Sequence, residues 1–166
     1  MTILETDRLL VRTWMPGDAE AATRIYGDAQ VMRFIPVGVM TRPQIVAMIA
    51  RMSDEHERRG FGLWPVTCKT TGRLIGECGL HVLPETGEVE IVWLYERANW
   101  GRGYATEAAR AVLAFAFDVV RLARVVALID SRNLASISVA HRLAMRYERD
   151  GRYYDRDLGV YAKEIA

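Results

Sequence analysis

Apolar residues recur along this chain with two periods, and the change from one to the other divides it. Leu9, Leu10 and Val11 between Arg8 and Arg12 read as a first strand. From Asp18 to Gly27 the pattern predicts a helix, with the Asp18 carboxylate able to cap free N–H groups and Gly27 as a stop. A second helix is expected from Thr41 to Gly60, with Pro43 in its first turn and Ile45, Met48, Ile49 and Met52 three or four residues apart. The middle is strand-like: Phe61 to Lys69, Leu74 to Leu83 and Glu88 to Tyr95, joined by turns at Thr71-Gly72 and around Pro84 and Gly87. Such short turns imply an antiparallel meander. In the third run, alternation at Glu88-Val89-Glu90 gives way to continuous apolar residues, a break compatible with a bulge or with a strand entering a two-sided core.

The strongest helical stripe follows, through Ala105, Ala108, Ala109, Val112, Leu113, Ala116, Phe117 and Val120. Arg124 to Ile129 is a buried-type strand, Leu134 to Leu143 a helix that Asn133 can cap, and Tyr147 to Ile165 two closing strands turning near Gly151 and Asp155. Strand, helix and strand in that order make a crossover. The expected fold is therefore α/β (α+β), one domain over residues 1–166, with a mixed, mostly antiparallel twisted sheet, flanking helices and a parallel join near Trp93 and Val125.

The 22 basic and 21 acidic residues nearly cancel, and no block of like charge suggests a partner with a phosphate backbone, so no nucleic acid is expected. No stretch of about 18 apolar residues and no basic-then-apolar leader occurs, so neither a membrane partner nor export is expected and the place is the cytoplasm. Cys68 and Cys78 read as reduced core thiols, and His56, His81 and His141 lack a paired spacing, so no metal is expected. The Glu55-His56-Glu57-Arg58-Arg59 run reads as a solvated helix face. Trp14, Trp64 and Trp93 read as core or pocket wall, and Tyr153-Tyr154 as acceptor cleft or strand packing.

Chemistry concentrates at Gly101-Arg102-Gly103-Tyr104-Ala105, between a strand and the strongest helix, where free N–H groups and the helix dipole attract an anion. Glycine permits close approach of a diphosphate, and Thr106 can add a hydroxyl; a bare structural turn is the alternative. No Walker string occurs. A dinucleotide fold is the nearer rival, because a strand ending at Asp130 follows the loop. Against it, only 36 residues remain beyond Asp130, and the last of them read as strands.

Trp100-Gly101-Arg102-Gly103-Tyr104-Ala105-Thr106-Glu107-Ala108 resembles the acetyl-CoA loop of the Gcn5-related N-acetyltransferases (GNAT), and more narrowly their RimJ/RimL-type ribosomal-protein acetyltransferase branch. Glu5 to Arg12, Leu74 to Leu80 and Asn133 to Val139 resemble three further segments of that branch, so the likeness runs over nearly the whole chain. It implies acetyl-CoA as co-substrate and an amine acceptor, a protein N-terminus or a small molecule, in a monomer or homodimer. Two departures stand out: Ala144-Met145 replaces the usual Gly-Phe, and Ala140 stands where many relatives carry a tyrosine acid.

Acetyl transfer from a thioester needs a neutral amine, a place for the developing oxyanion and a proton for the thiolate. The resemblance implies Glu90 as the base, with Glu88 second, Ser136 as the acid and Asn133 on the pantetheine. Ile91, Val92 and Trp93 would line the thioester, with the Val92 N–H meeting the oxyanion if a bulge splays it there. Each has a bland alternative: a solvated strand face for the glutamates, a first-turn serine for Ser136, a helix cap for Asn133. Neither cysteine lies near the loop, so direct transfer in a ternary complex is expected rather than an acyl-cysteine. A non-catalytic acyl-CoA-binding module and a nicotinamide-nucleotide oxidoreductase are the alternatives of other classes.

Overall fold

The structure, a computed structural model, describes residues 1–165. Eight strands form one sheet: β1 (Thr2–Glu5), β2 (Leu9–Arg12), β3 (Leu63–Cys68), β4 (Leu74–Val82), β5 (Val89–Tyr95), β6 (Arg124–Ile129), β7 (Arg146–Tyr153) and β8 (Arg156–Glu164). Helices α1 (Asp18–Tyr26) and α2 (Arg42–Arg59) precede β3, α3 (Tyr104–Asp118) crosses from β5 to β6, and α4 (Leu134–Arg142) follows β6. The strand order is β1-β2-β3-β4-β5-β6-β8-β7. Every neighbouring pair is antiparallel except β5 and β6, which the α3 crossover makes parallel.

Side-chain alternation sends β5 to two cores. Ile91 and Tyr95 join Cys78 and Leu80 of β4 under α3, whose Val112, Leu113 and Ala116 are buried there. Leu94 points the other way and packs with Trp14, Tyr26, Ile45 and Met48 beneath α1 and α2. Each large apolar side chain so buried contributes about 1.5–3 kcal/mol. Gly79 makes the β3–β4 approach possible, since a Cβ there would lie 2.1 Å from the carbonyl oxygen of Gly62.

The structure departs from the sequence expectations in several places. The opening strand is one arm of a hairpin, because Thr2–Glu5 pairs with Leu9–Arg12. Gly17, not Asp18, occupies the cap position of α1; the Asp18 carboxylate turns back to accept from the Met15 N–H at 2.7 Å and from Arg12 at 2.7 and 2.9 Å. Of the two readings of the pattern break in β5, the bulge is not found: Val89 to Tyr95 pair with Val82 to Gly76 in unbroken register. The change of pattern there marks a strand covered on both faces. The parallel join does lie near Trp93 and Val125, at the single register pair Glu90 and Val126, three residues before Trp93 on β5 and one after Val125 on β6, and beyond it the two strands part.

Candidate active site

The parting of β5 and β6 sets the site. Glu96 N–H bonds to Ile75 and Leu83 N–H to Glu88, which fixes the ladder's parity. By the alternation of antiparallel pairing, the N–H groups of Glu90, Val92 and Leu94 are directed at β4, and those of Ile91 and Trp93 at β6. This corrects the Val92 expectation, since its amide belongs to the β4 ladder. Beyond the Glu90–Val126 pair it is the Trp93 N–H that faces the gap.

Glu90 is buried at the mouth of that gap, and its carboxyl accepts a 3.4 Å hydrogen bond from the Leu128 N–H of β6. Burial pushes it from 4.5 up to about 8, the Leu128 amide pulling the other way. Its register partner His81 is half-buried and held below its ordinary value, chiefly by desolvation, with Glu55 and Glu85 pulling it back up and Arg51 and Arg59 adding to the fall. Glu88 turns elsewhere, into a cluster with Arg124 and Arg149.

Across the gap, Asn133 caps α4 by accepting the Ser136 N–H at 3.2 Å. The Ser136 hydroxyl accepts from Trp93 Nε1 at 3.2 Å, leaving its own hydrogen free for another acceptor. Glu90, Trp93, Asn133 and Ser136 all border one cavity of about 340 Å³. It extends over the second face of the sheet, past Val92 and Leu94 to Tyr26 and Glu77, where the Tyr26 hydroxyl donates to the Glu77 carboxyl. Glu77 is fully buried, and desolvation raises it to about 7 against the pull of that bond.

At the outer end of β5 the chain makes the glycine turn. Gly101 and Gly103 have φ of +72° and +78°, and Gly103 caps α3 without any side-chain bond to its first-turn amides. A Cβ at Gly101 would meet nothing within 4 Å, so the space in front of the turn is open to a ligand. Arg8 secures the turn from β2's side, donating to the Arg102 carbonyl at 2.9 Å, pairing with Glu107 at 2.6 Å and covering the Tyr104 ring at 4.6 Å. Ala105 and Thr106 lie half-buried in the first turn of α3.

The acetyltransferase (GNAT) domain family matches residues 8–146. The chain belongs to the GNAT acetyltransferase family. Its relatives include the Bacillus subtilis protein YkkB, 32% identical over 168 residues, covering 98% of this chain and 96% of that one. An Agrobacterium tumefaciens acetyltransferase of known structure is 26% identical, with a TM-score of 0.87 over 98% of this chain and 94% of its own. RimL, a ribosomal L7/L12 α-N-protein acetyltransferase solved with coenzyme A, shares the fold at 17% identity and a TM-score of 0.81, over 99% and 98% of the two chains. A GNAT sheet with one parallel pair contradicts the dinucleotide alternative, and Asp130, its candidate ribose acid, is held by Arg132 at 2.7 Å.

Sequence reasoning missed several groups of this candidate site. Glu77 and His81 share the cavity face with Glu90, a relation the alternation of β4 could have exposed once the β4–β5 register was known. The run Glu55 to Arg59 is only partly solvated: Glu55 borders the cavity, and His56 accepts from Trp64 Nε1 at 3.3 Å. Of the tyrosine pair, Tyr153 is buried in strand packing and Tyr154 borders the cavity. Cys68 and Cys78 are buried free thiols, and the expectation that neither lies near the loop fails for Cys68, whose Sγ is 4.0 Å from the Tyr104 hydroxyl because β3 runs beside the first turn of α3. No described helix is long and apolar enough to cross a membrane.

Proposed function

We propose that this acetyltransferase uses acetyl-CoA and passes the acetyl group to a primary amine by direct attack in a ternary complex. The observation that carries the reading is a buried carboxyl, Glu90, at the point where β5 and β6 part, on a cavity that also reaches Asn133 and Ser136. The open glycine turn would hold the diphosphate through the first amides of α3, with Tyr104, Ala105 and Thr106 in that turn. Ile91, Val92 and Trp93 would flank the pantetheine and thioester, and the Asn133 amide, its oxygen engaged as a cap, still has its N–H groups to offer. A cofactor complex of RimL, whose chain shares the fold, is in keeping with this placement.

Glu90 takes a proton from the entering ammonium, which frees the nitrogen lone pair to form the new C–N bond. Charge developing on the carbonyl oxygen meets the Trp93 N–H. As the C–S bond breaks, the sulfur receives the Ser136 proton, for which the Trp93 indole has already oriented the hydroxyl, and the second proton shed by the attacking nitrogen restores the Ser136 hydroxyl as the amide forms. A carboxyl near 8 suits the task, because its affinity for a proton approaches that of an α-amine. Ser136 thereby takes the role left open by Ala140, a buried residue one turn further along α4. The amine belongs to a protein N-terminus or to a small molecule.

The test is Glu90→Gln, whose amide oxygen can keep the Leu128 bond. Turnover should fall by about 10²- to 10⁴-fold while calorimetric affinity for acetyl-CoA stays at the wild-type level. Undiminished turnover would overturn Glu90 as the base. Acetyl-CoA binding with no thiol release by wild type on any amine would favour a non-catalytic acyl-CoA-binding module instead.

A further inference from the structure

The acceptor end of the cavity carries more information than its carboxyls. Four of the chain's seven methionines, Met32, Met40, Met48 and Met52, border it, joined by Phe34 and Leu94. Unbranched thioethers adapt to apolar bodies of differing outline, and sulfur packs well against rings. The whole cavity is about 340 Å³, near the lower limit for ligand sites, and part of it lies by Asn133 and Ser136 on the thioester side. The space left for the acceptor is compact.

Charge along the same wall points the same way. Glu55 is engaged by Arg58 and Arg59, and Asp130 by Arg132. Glu77 receives the Tyr26 hydroxyl, and burial holds both Glu77 and Glu90 high, near 7 and 8. His81 is kept neutral by burial, while Arg51 borders the cavity and Arg33 and Arg132 flank the Phe34 ring. A second or third ammonium on the acceptor would find no unengaged carboxylate and would meet guanidinium groups.

We infer that the acceptor is a primary amine beside one compact, uncharged apolar group, the size of a leucine, methionine or phenylalanine side chain, which lies against these methionines while the amine faces Glu90. The inference rests on the acetyltransferase reading above. Two sources supply this chemistry, a free arylalkyl or alkyl amine and the first residue of a peptide. Polyamines and aminoglycosides do not.

The experiment follows thiol release from acetyl-CoA with phenethylamine and isoamylamine, with tetrapeptides that differ only in beginning with Met, Phe, Leu, Ser or Ala, and with spermidine and kanamycin. kcat/KM should be about tenfold or more higher for the apolar member of each set, the size of discrimination an apolar pocket provides. Preference for free amines over peptides, or the reverse, names the source. Met52→Gln, at a half-buried wall position, should raise KM for the apolar acceptor and leave acetyl-CoA affinity unchanged. Faster release with Ser peptides, spermidine or kanamycin would overturn the acceptor class while leaving the acetyltransferase reading intact. Absence of release with every amine would overturn both.

Discussion

Glu90 is the residue at which several lines of physics meet. A strand residue inside a sheet, it has a full backbone ladder on the β4 side and only one register pair on the β6 side. Its raised pKa has a consequence for stability. Between 4.5 and about 8 the folded chain keeps a proton that the unfolded chain releases, so stability falls as pH rises through that window and levels off above it. Glu90→Gln removes the fall: its melting temperature should match wild type at pH 4.5 and exceed it at pH 8.5, by on the order of 5 °C. Glu77→Gln should act in the same direction over a window ending near 7. Scanning calorimetry at the two pH values decides this, and an equal offset at both would contradict the assignment. The rate should show the complementary limb, kcat/KM rising through about pH 8 in wild type and losing that limb in Glu90→Gln. Glu90 was legible in the sequence as an acidic residue in alternation, but its burial was not, because burial depends on α2 and the β7–β8 turn closing over the face.

At the scale of elements, the glycine turn and α3 were read directly, since Gly101-x-Gly103 and the apolar stripe are local signals. What local signals could not carry was the clamp. Arg8 and Glu107 are 99 residues apart in sequence, and only the sheet brings them together. Gly103→Ala should weaken acetyl-CoA binding by about tenfold, because a left-handed alanine costs about 1–2 kcal/mol and its Cβ would stand 3.5 Å from Arg8 Nη2. Gly17→Ala, at φ of −80° with nothing within 4 Å of its Cβ, is the matched control and should change neither affinity nor stability. Isothermal titration of both variants checks the pair; equal losses would mean that glycine at 103 has no special part. The choice between a bulge and a strand in a two-sided core stayed open in the sequence for a related reason. Continuous apolar residues in β5 report two covered faces, and the gap beside it comes from β6 diverging, which no pattern within β5 encodes.

For the whole molecule, order of elements settled more than any motif. Strand, helix, strand between Val89 and Ile129 required one parallel join in an otherwise antiparallel sheet, and that join is where the site opens. Its closed end is tied by Arg124, which bonds Glu88, Glu148 and Glu164 at 3.2, 2.6 and 3.2 Å and so links the segments around β5, β6, β7 and β8. Arg124→Met should lower unfolding free energy by about 1–3 kcal/mol in urea titrations, with the deficit shrinking in high salt and acetyl-CoA affinity preserved. A deficit independent of salt would assign the loss to packing. The measurement that reaches the central claim most directly is rapid mixing of the enzyme with acetyl-CoA, with and without amine, reading thiol release and the masses of protein and product. The account predicts no thiol burst and no acetylated protein without amine, and thiol and N-acetyl amine in equal amounts with it. A stoichiometric burst that leaves the acetyl group on the chain before any amine is added would contradict direct transfer.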